Sequence, residues 1–270
     1  MPIDFSTIVA AVGSGGIVGA VLGIVGGGGS ILAVPLLVYV VGTKSPHVAI
    51  GTSAVAVSLS ALGNVVGHWR AGNVKWRCAA VFAIVGVFGA LGGSALAKAM
   101  NGQKLLALFG ILMLVVGLTM LRRRKTSGDP GVQLSADNAA TLLPWLVAIG
   151  AVVGFLSGFF GIGGGFLIVP GLMLATGMPL TMAIGTSLVA VAAFGAATAA
   201  SYAVSGMVDW PIAGLFIGGG LAGGLVGVAI GKALAHRKRA LTIVFASLVI
   251  PVGAYVTYRG AMTLDPSLLS

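Results

Sequence analysis

Residues 23–35 read GIVGGGGSILAVP, and residues 158–170 read GFFGIGGGFLIVP. Each stretch sets a cluster of glycines inside an apolar run and follows it with a proline, Pro35 or Pro170. In a helix interior glycine costs about 1 kcal/mol against alanine. The same weak point therefore occurs twice, 135 residues apart. Two more blocks repeat in the same order. AIGTSAVAV (Ala49 to Val57) returns as AIGTSLVAV (Ala183 to Val191), and AGNVKW (Ala71 to Trp76) returns as SGMVDW (Ser205 to Trp210), both at an offset of 134 residues. Three ordered matches at offsets of 134–135 residues make the chain two homologous halves. They predict repeats over 1–124 and 142–270, joined by a polar linker over 125–141.

The composition fixes the solvent. The 270 residues are 58% hydrophobic and only 7% charged, with a mean hydropathy of +1.11. Soluble domains carry about 25% charged residues, so this is an integral membrane protein. The 45 glycines suit close helix contact in a bilayer. The single cysteine, Cys78, forms no intrachain disulfide and no cysteine cluster for a metal. The N-terminus, MPIDFSTIVAAV, lacks a basic region and does not read as a cleavable signal. The net charge of +10 sits in short loops between apolar runs, as membrane anchoring requires, so no nucleic-acid partner is expected. The runs Arg122–Lys125 and His236–Arg239 read as cytoplasmic anchors that can touch anionic lipid.

Each half divides into five apolar segments: 7–25, 30–42, 48–69, 76–98 and 104–121, then 143–160, 165–177, 182–205, 210–232 and 240–259. The second segment of each half is too short to cross a bilayer core of about 30 Å. It is expected to pair with the first as a hairpin whose tip is the glycine cluster. With three full crossings after each hairpin, the basic loops 70–77, 122–125 and 232–239 share one face, which the positive-inside rule makes cytoplasmic. Both termini then face outward, and the halves have inverted topology. The expected fold is an all-α membrane protein of two inverted repeats, each opened by a broken helix, in the cell (inner) membrane. A homodimer is compatible with this.

Inverted repeats with matched broken helices are the signature of a secondary transporter. A break bares backbone N–H groups, and missing side chains let a small solute approach them. The short helices are expected to start near Ser30 and Gly165, presenting N-termini that attract anions. Tight packing is the alternative use of such glycines. The recurrence of cluster and proline favours a site. The candidate binding residues are Gly26, Gly28, Gly29 and Ser30, with Gly161, Gly163, Gly164 and Gly165. Thr52, Ser53, Thr186 and Ser187 add hydroxyls that can donate to an oxyanion or cap helices. Asn64 places an amide in an apolar run; Thr198, its counterpart, is expected to bond between helices.

The five acidic residues are Asp4, Asp129, Asp137, Asp209 and Asp265, all outside the apolar segments. Cation sites and carboxylate proton relays are therefore not expected. No nucleophile–base pair or metal-ligand set points to an enzyme. No cofactor is implied. His68 and Arg70, in GHWRAGN, could attract anions at the cytoplasmic face, although anchoring is the plainer role. Trp69, Trp76, Trp145 and Trp210 fall at segment ends, as interfacial aromatics do.

The glycine–proline motifs and AIGTS blocks resemble those of the TauE/SafE family of sulfite-exporter-like anion transporters, in both halves and over nearly the whole chain. Gly27 and Ser30 depart from the second-half pattern. The resemblance implies export of small sulfur-containing anions, such as sulfite or organosulfonates, with the site at Gly26–Ser30 and Gly161–Gly165 beside the GTS blocks. The alternatives are a passive anion channel, or a transporter of an unrelated small organic anion.

Overall fold

A computed structural model describes residues 4–122, 134–135, 138–161, 163, 165–233 and 238–264. Gly164, the residues Arg123 to Lys125, most of the linker 125–141 and residues 234–237 of the second basic loop lie outside the described residues.

Every regular element among the described residues is helical, without a strand. The first half contains α1 (Phe5–Val25), a 3-10 segment (Gly26–Leu32), α2 (Ala33–Tyr39), α3 (Pro46–Arg70), α4 (Trp76–Ala99) and α5 (Gly102–Arg122). The second contains α6 (Ala139–Phe160), α7 (Gly165–Thr176), α8 (Leu180–Val204), α9 (Trp210–Ala233) and α10 (Lys238–Leu264). Among the described residues seven helices are long and apolar enough to cross a membrane, and two shorter apolar helices, Gly28–Tyr39 and Gly165–Thr176, are not. This is a multi-pass membrane protein. At 1.5 Å per residue the 25-residue helices α3 and α8 span about 37 Å.

The first short apolar helix, Gly28–Tyr39, begins near Ser30 as expected, but its opening turns are not α-helical. Gly26–Leu32 winds as a 3-10 helix, and α-helix begins at Ala33. Pro35 falls in the first turn of this α-helix, where its missing N–H has no intrahelical partner to lose. In the second half Gly161 closes α6 in the left-handed conformation (φ 67°), donating its N–H to Ser157 O. There α-helix resumes at Gly165, and Pro170 lies in its second turn.

Packing repeats when the halves are exchanged. α1 packs along α9, and α6 packs along α4; α3 meets α9 as α8 meets α4; α3 crosses α8, and α5 lies on α10. Glycines set the closest approaches. A methyl at Gly15 or Gly19 would strike the carbonyl oxygen of Phe216 or Gly220, so α1 and α9 run parallel in backbone contact. The equivalent clashes of Gly154 with Gly86 O and Gly158 with Ala90 O place α6 against α4 in the same way. Without a hydrophobic drive between helices in lipid, such small-residue contacts supply the association. Gly51, early in α3, abuts Met207 beyond the end of α8, and Gly185, early in α8, abuts Asn73 beyond the end of α3. Thus α3 and α8 run antiparallel. So do α5 and α10, in which Gly110 faces Thr257 and Gly260 faces Ala107.

Candidate functional site

The two glycine breaks come together. The 3-10 segment packs on α7 and α8 as well as on α1. Gly29 turns its bare backbone to Val18, Val21 and Leu22 of α1, folding the segment back as a hairpin. Gly163, at φ 62°, stands at the α3–α8 crossing, where a Cβ would lie 3.2 Å from both Val57 Cγ1 and Val191 Cγ1. Those valines are counterparts at the repeat spacing, and each is near the middle of a 25-residue helix. Ser58 Oγ donates to Ala192 O at 2.7 Å, again between counterparts. The second break therefore sits near the middles of α3 and α8, where the halves meet.

The AIGTS blocks hold this arrangement from both sides. Thr52 Oγ1 accepts from Asp209 N at 2.9 Å, and Thr186 Oγ1 accepts from Lys75 N at 3.0 Å. Each threonine thus receives the N–H that precedes the long helix α9 or α4 of the opposite half. The glycine beside it, Gly51 or Gly185, admits the incoming loop. Ser53 Oγ donates to Ile50 O at 2.9 Å and Gly161 O at 3.1 Å, tying the second glycine break to the first half. Ser187 Oγ donates to Ile184 O at 2.8 Å. These hydroxyls are engaged with backbone.

Removing the Thr52 acceptor should therefore destabilise the protein. Thr52→Ala is expected to cost about 1 kcal/mol, the usual worth of one such bond, with Thr52→Ser close to wild type. Thermal melting in detergent checks this; equal melting of the alanine variant and wild type contradicts the stitch.

Other polar groups have unused capacity. Asn64 is 5% exposed, and its Nδ2 has no partner. The amide faces α9, close to Gly224. Thr198 Oγ1 is buried without a partner as well, so the interhelical bond expected of it is not formed. Ser157 Oγ, one turn before the second break, is fully buried and unpartnered. Sequence reasoning missed Ser157 because its counterpart is Leu22, so the matched blocks do not mark it. The signal was present: a hydroxyl one turn before a glycine break, in SGFFGIGGG. A buried polar group without a partner costs about 1–3 kcal/mol, so these donors are suited to a solute or water.

Among the described residues the buried polar side chains are serines, threonines and Asn64, none of them charged. Ser30, Thr52, Ser53, Thr186 and Ser187 are all fully buried. No group of three His, Cys, Asp or Glu side chains able to hold a metal occurs among the described residues. A cleft of about 250 Å³ between Val74–Cys78 and Leu134 lies at the α3–α4 loop, apart from the breaks. The structure thus ties Ser53 to Gly161, packs the 3-10 segment that carries Gly28, Gly29 and Ser30 on the α7 that Gly165 opens, and leaves Asn64 along α3 against α9.

Comparison with known proteins gives one family. The family model for the sulfite exporter TauE/SafE matches residues 11–256. A probable membrane transporter protein of Xylella fastidiosa (strain 9a5c) is 49% identical over 261 residues, covering 96% of this chain and 98% of the relative. The probable membrane transporter protein YunE of Bacillus subtilis is 28% identical over 272 residues, covering 90% and 95%. MJ0441 of Methanocaldococcus jannaschii, with the same description, is 29% identical over 168 residues, or 59% and 60% of the two chains. No solved structure matches.

Proposed function

The chain belongs to the sulfite exporter TauE/SafE family, and on that premise we propose that it is a secondary transporter that exports small sulfur-containing anions such as sulfite or organosulfonates. That it is a membrane transporter follows from the family and from relatives of matching length. The finer reading is alternating access of two inverted repeats, 1–124 and 142–270, around a site at mid-depth. The antiparallel pairing of α3 with α8 and of α5 with α10 supports inversion, because equivalent helices of the halves then point to opposite faces.

One observation supports the reading: the 3-10 segment packs on α7 beside the left-handed glycines Gly161 and Gly163, near the middles of α3 and α8, and among the described residues no charged side chain is buried. Backbone at that depth must bond within the protein or meet a ligand. Neutral donors bind a small anion weakly enough to release it. We place the solute among Gly26, Gly28, Gly29, Ser30, Gly161, Gly163, Gly164 and Gly165, with Ser157 beside them. Thr52, Thr186, Ser53 and Ser187 border the site and release their backbone partners as the halves rock. Asn64 and Thr198 flank it on opposite sides, each six residues from the Ser58–Ala192 contact and so about 9 Å along the helix axis.

Purified protein in liposomes tests the function. Flux is measured for sulfite, thiosulfate, sulfate, sulfoacetate, taurine and chloride. Saturable flux of a sulfur anion with counterflow is expected. Large conductance without counterflow contradicts a carrier and marks a channel, and no flux of any sulfur anion contradicts the substrate class. Orientation has its own test. With an impermeant amine reagent on intact cells, Lys75 should stay unmodified while Lys44 and Lys104 react. Ready modification of Lys75 overturns the assignment of its loop to the cytoplasm.

A further inference from the structure

A second polar cluster lies at the face where α8 ends and α3 begins. Lys98, in the last turn of α4, donates from Nζ to Ser201 O and Ser205 Oγ, both at 3.0 Å. These bonds use two of its three N–H groups. Nζ also stands 5.8 Å from the centre of the Tyr202 ring. Tyr202 is wholly buried, and its hydroxyl has no partner. The His47 ring, 6.5 Å from the Tyr202 ring, closes the α3 side and is fixed by a 3.1 Å bond from Nε2 to Met100 O. Ser94 Oγ, 2.9 Å from Ser201 Oγ, closes the α4 side.

The helix pattern connects this cluster to the glycine junction. Val191, which faces Gly163, Thr198 and Tyr202 are spaced at i, i+7 and i+11, one face of α8. Thr198 and Tyr202 both carry buried hydroxyls without partners, and Lys98 is the cation at the end of the row. At the repeat spacing the sequence places His68 opposite Tyr202 and Lys232 opposite Lys98.

We propose that Lys98 and Tyr202 form a second anion-binding station, at the outer mouth of the path from the glycine junction, which takes a small sulfonate or related oxyanion on the free ammonium N–H and the phenol O–H. A lysine that only capped the end of α8 would leave the buried phenol unsatisfied. The ligand is a free solute and not a lipid headgroup, because Tyr202 is enclosed between α3, α4 and α8. The ligand class rests on the transport reading, but binding here needs no transport.

The test is residue-specific acetylation of the full-length protein in detergent without added lipid, read by peptide mass spectrometry. The probes are methanesulfonate and sulfate, with chloride at matched ionic strength as reference. The oxyanions should slow acetylation of Lys98 about tenfold at ten times their Kd and leave the exposed Lys104 unaffected. Tyr202→Phe, which removes only the hydroxyl, should abolish most of this protection. Equal Lys98 rates in oxyanion and chloride overturn the station. So does full protection in Tyr202→Phe, or protection by phosphatidylglycerol alone. Failure of the flux assay leaves this readout intact, so the two claims fall separately.

Discussion

Gly163→Val abolishes anion flux while the protein remains inserted and folded. Gly163 holds φ 62°, a conformation that costs a residue with a side chain roughly 1–2 kcal/mol. Its Cβ would already lie 3.2 Å from Val57 and Val191, and the further methyls of valine must displace one of these two central helices. Overpacking of this kind costs about 1–3 kcal/mol. The sum, roughly 2–5 kcal/mol, shifts the junction from its present geometry and should lower flux on the order of a hundredfold. Gly163→Ala, which meets the backbone penalty with less crowding, should retain an intermediate flux. The check is initial flux in liposomes at matched protein content, with size-exclusion elution confirming the fold. Wild-type flux in the valine variant contradicts a site at the break.

Gly19→Leu acts on assembly. Gly19 lies against the backbone of Gly220, and neighbouring contacts pair Gly15 with Phe216 and Gly23 with Gly224. A side chain at 19 has only backbone to push against, so α1 must leave α9. The 3-10 segment, which folds back on α1, goes with it. A loss of more than about 3 kcal/mol is expected, because overpacking here separates two whole helices. Gly13→Leu is the control, since nothing lies within 4 Å of a Cβ at that position. The first variant should yield little monodisperse protein in detergent, and the second should elute and melt as wild type. Equal behaviour of the two variants contradicts close α1–α9 packing.

The helices were readable because lipid leaves so little choice. An apolar run must be helical, and its length decides whether it can cross. Hence α3, expected over 48–69, is found over Pro46–Arg70, and α9, expected over 210–232, over Trp210–Ala233. Three blocks that keep their order and spacing are what divide the chain into two halves. The 3-10 winding of Gly26–Leu32 was not readable, because a run of four glycines has weak local preferences and the matched proline in the second half permits α-helix from Gly165. Hydroxyl roles were not readable either. Thr52 has the chemistry of an anion donor, yet its partner is the backbone of Asp209, 157 residues away, and no local pattern names that partner. Ser157 was overlooked for the opposite reason: it breaks the symmetry that organised the reading.

Structure determination of the protein with thiosulfate or selenite bound addresses the central claim most directly. The account predicts an ordered anion between the 3-10 segment Gly26–Leu32 and the start of α7, within hydrogen-bond reach of backbone N–H groups and Ser157 Oγ. An anion bound at any other depth, with the junction unchanged and empty, contradicts it.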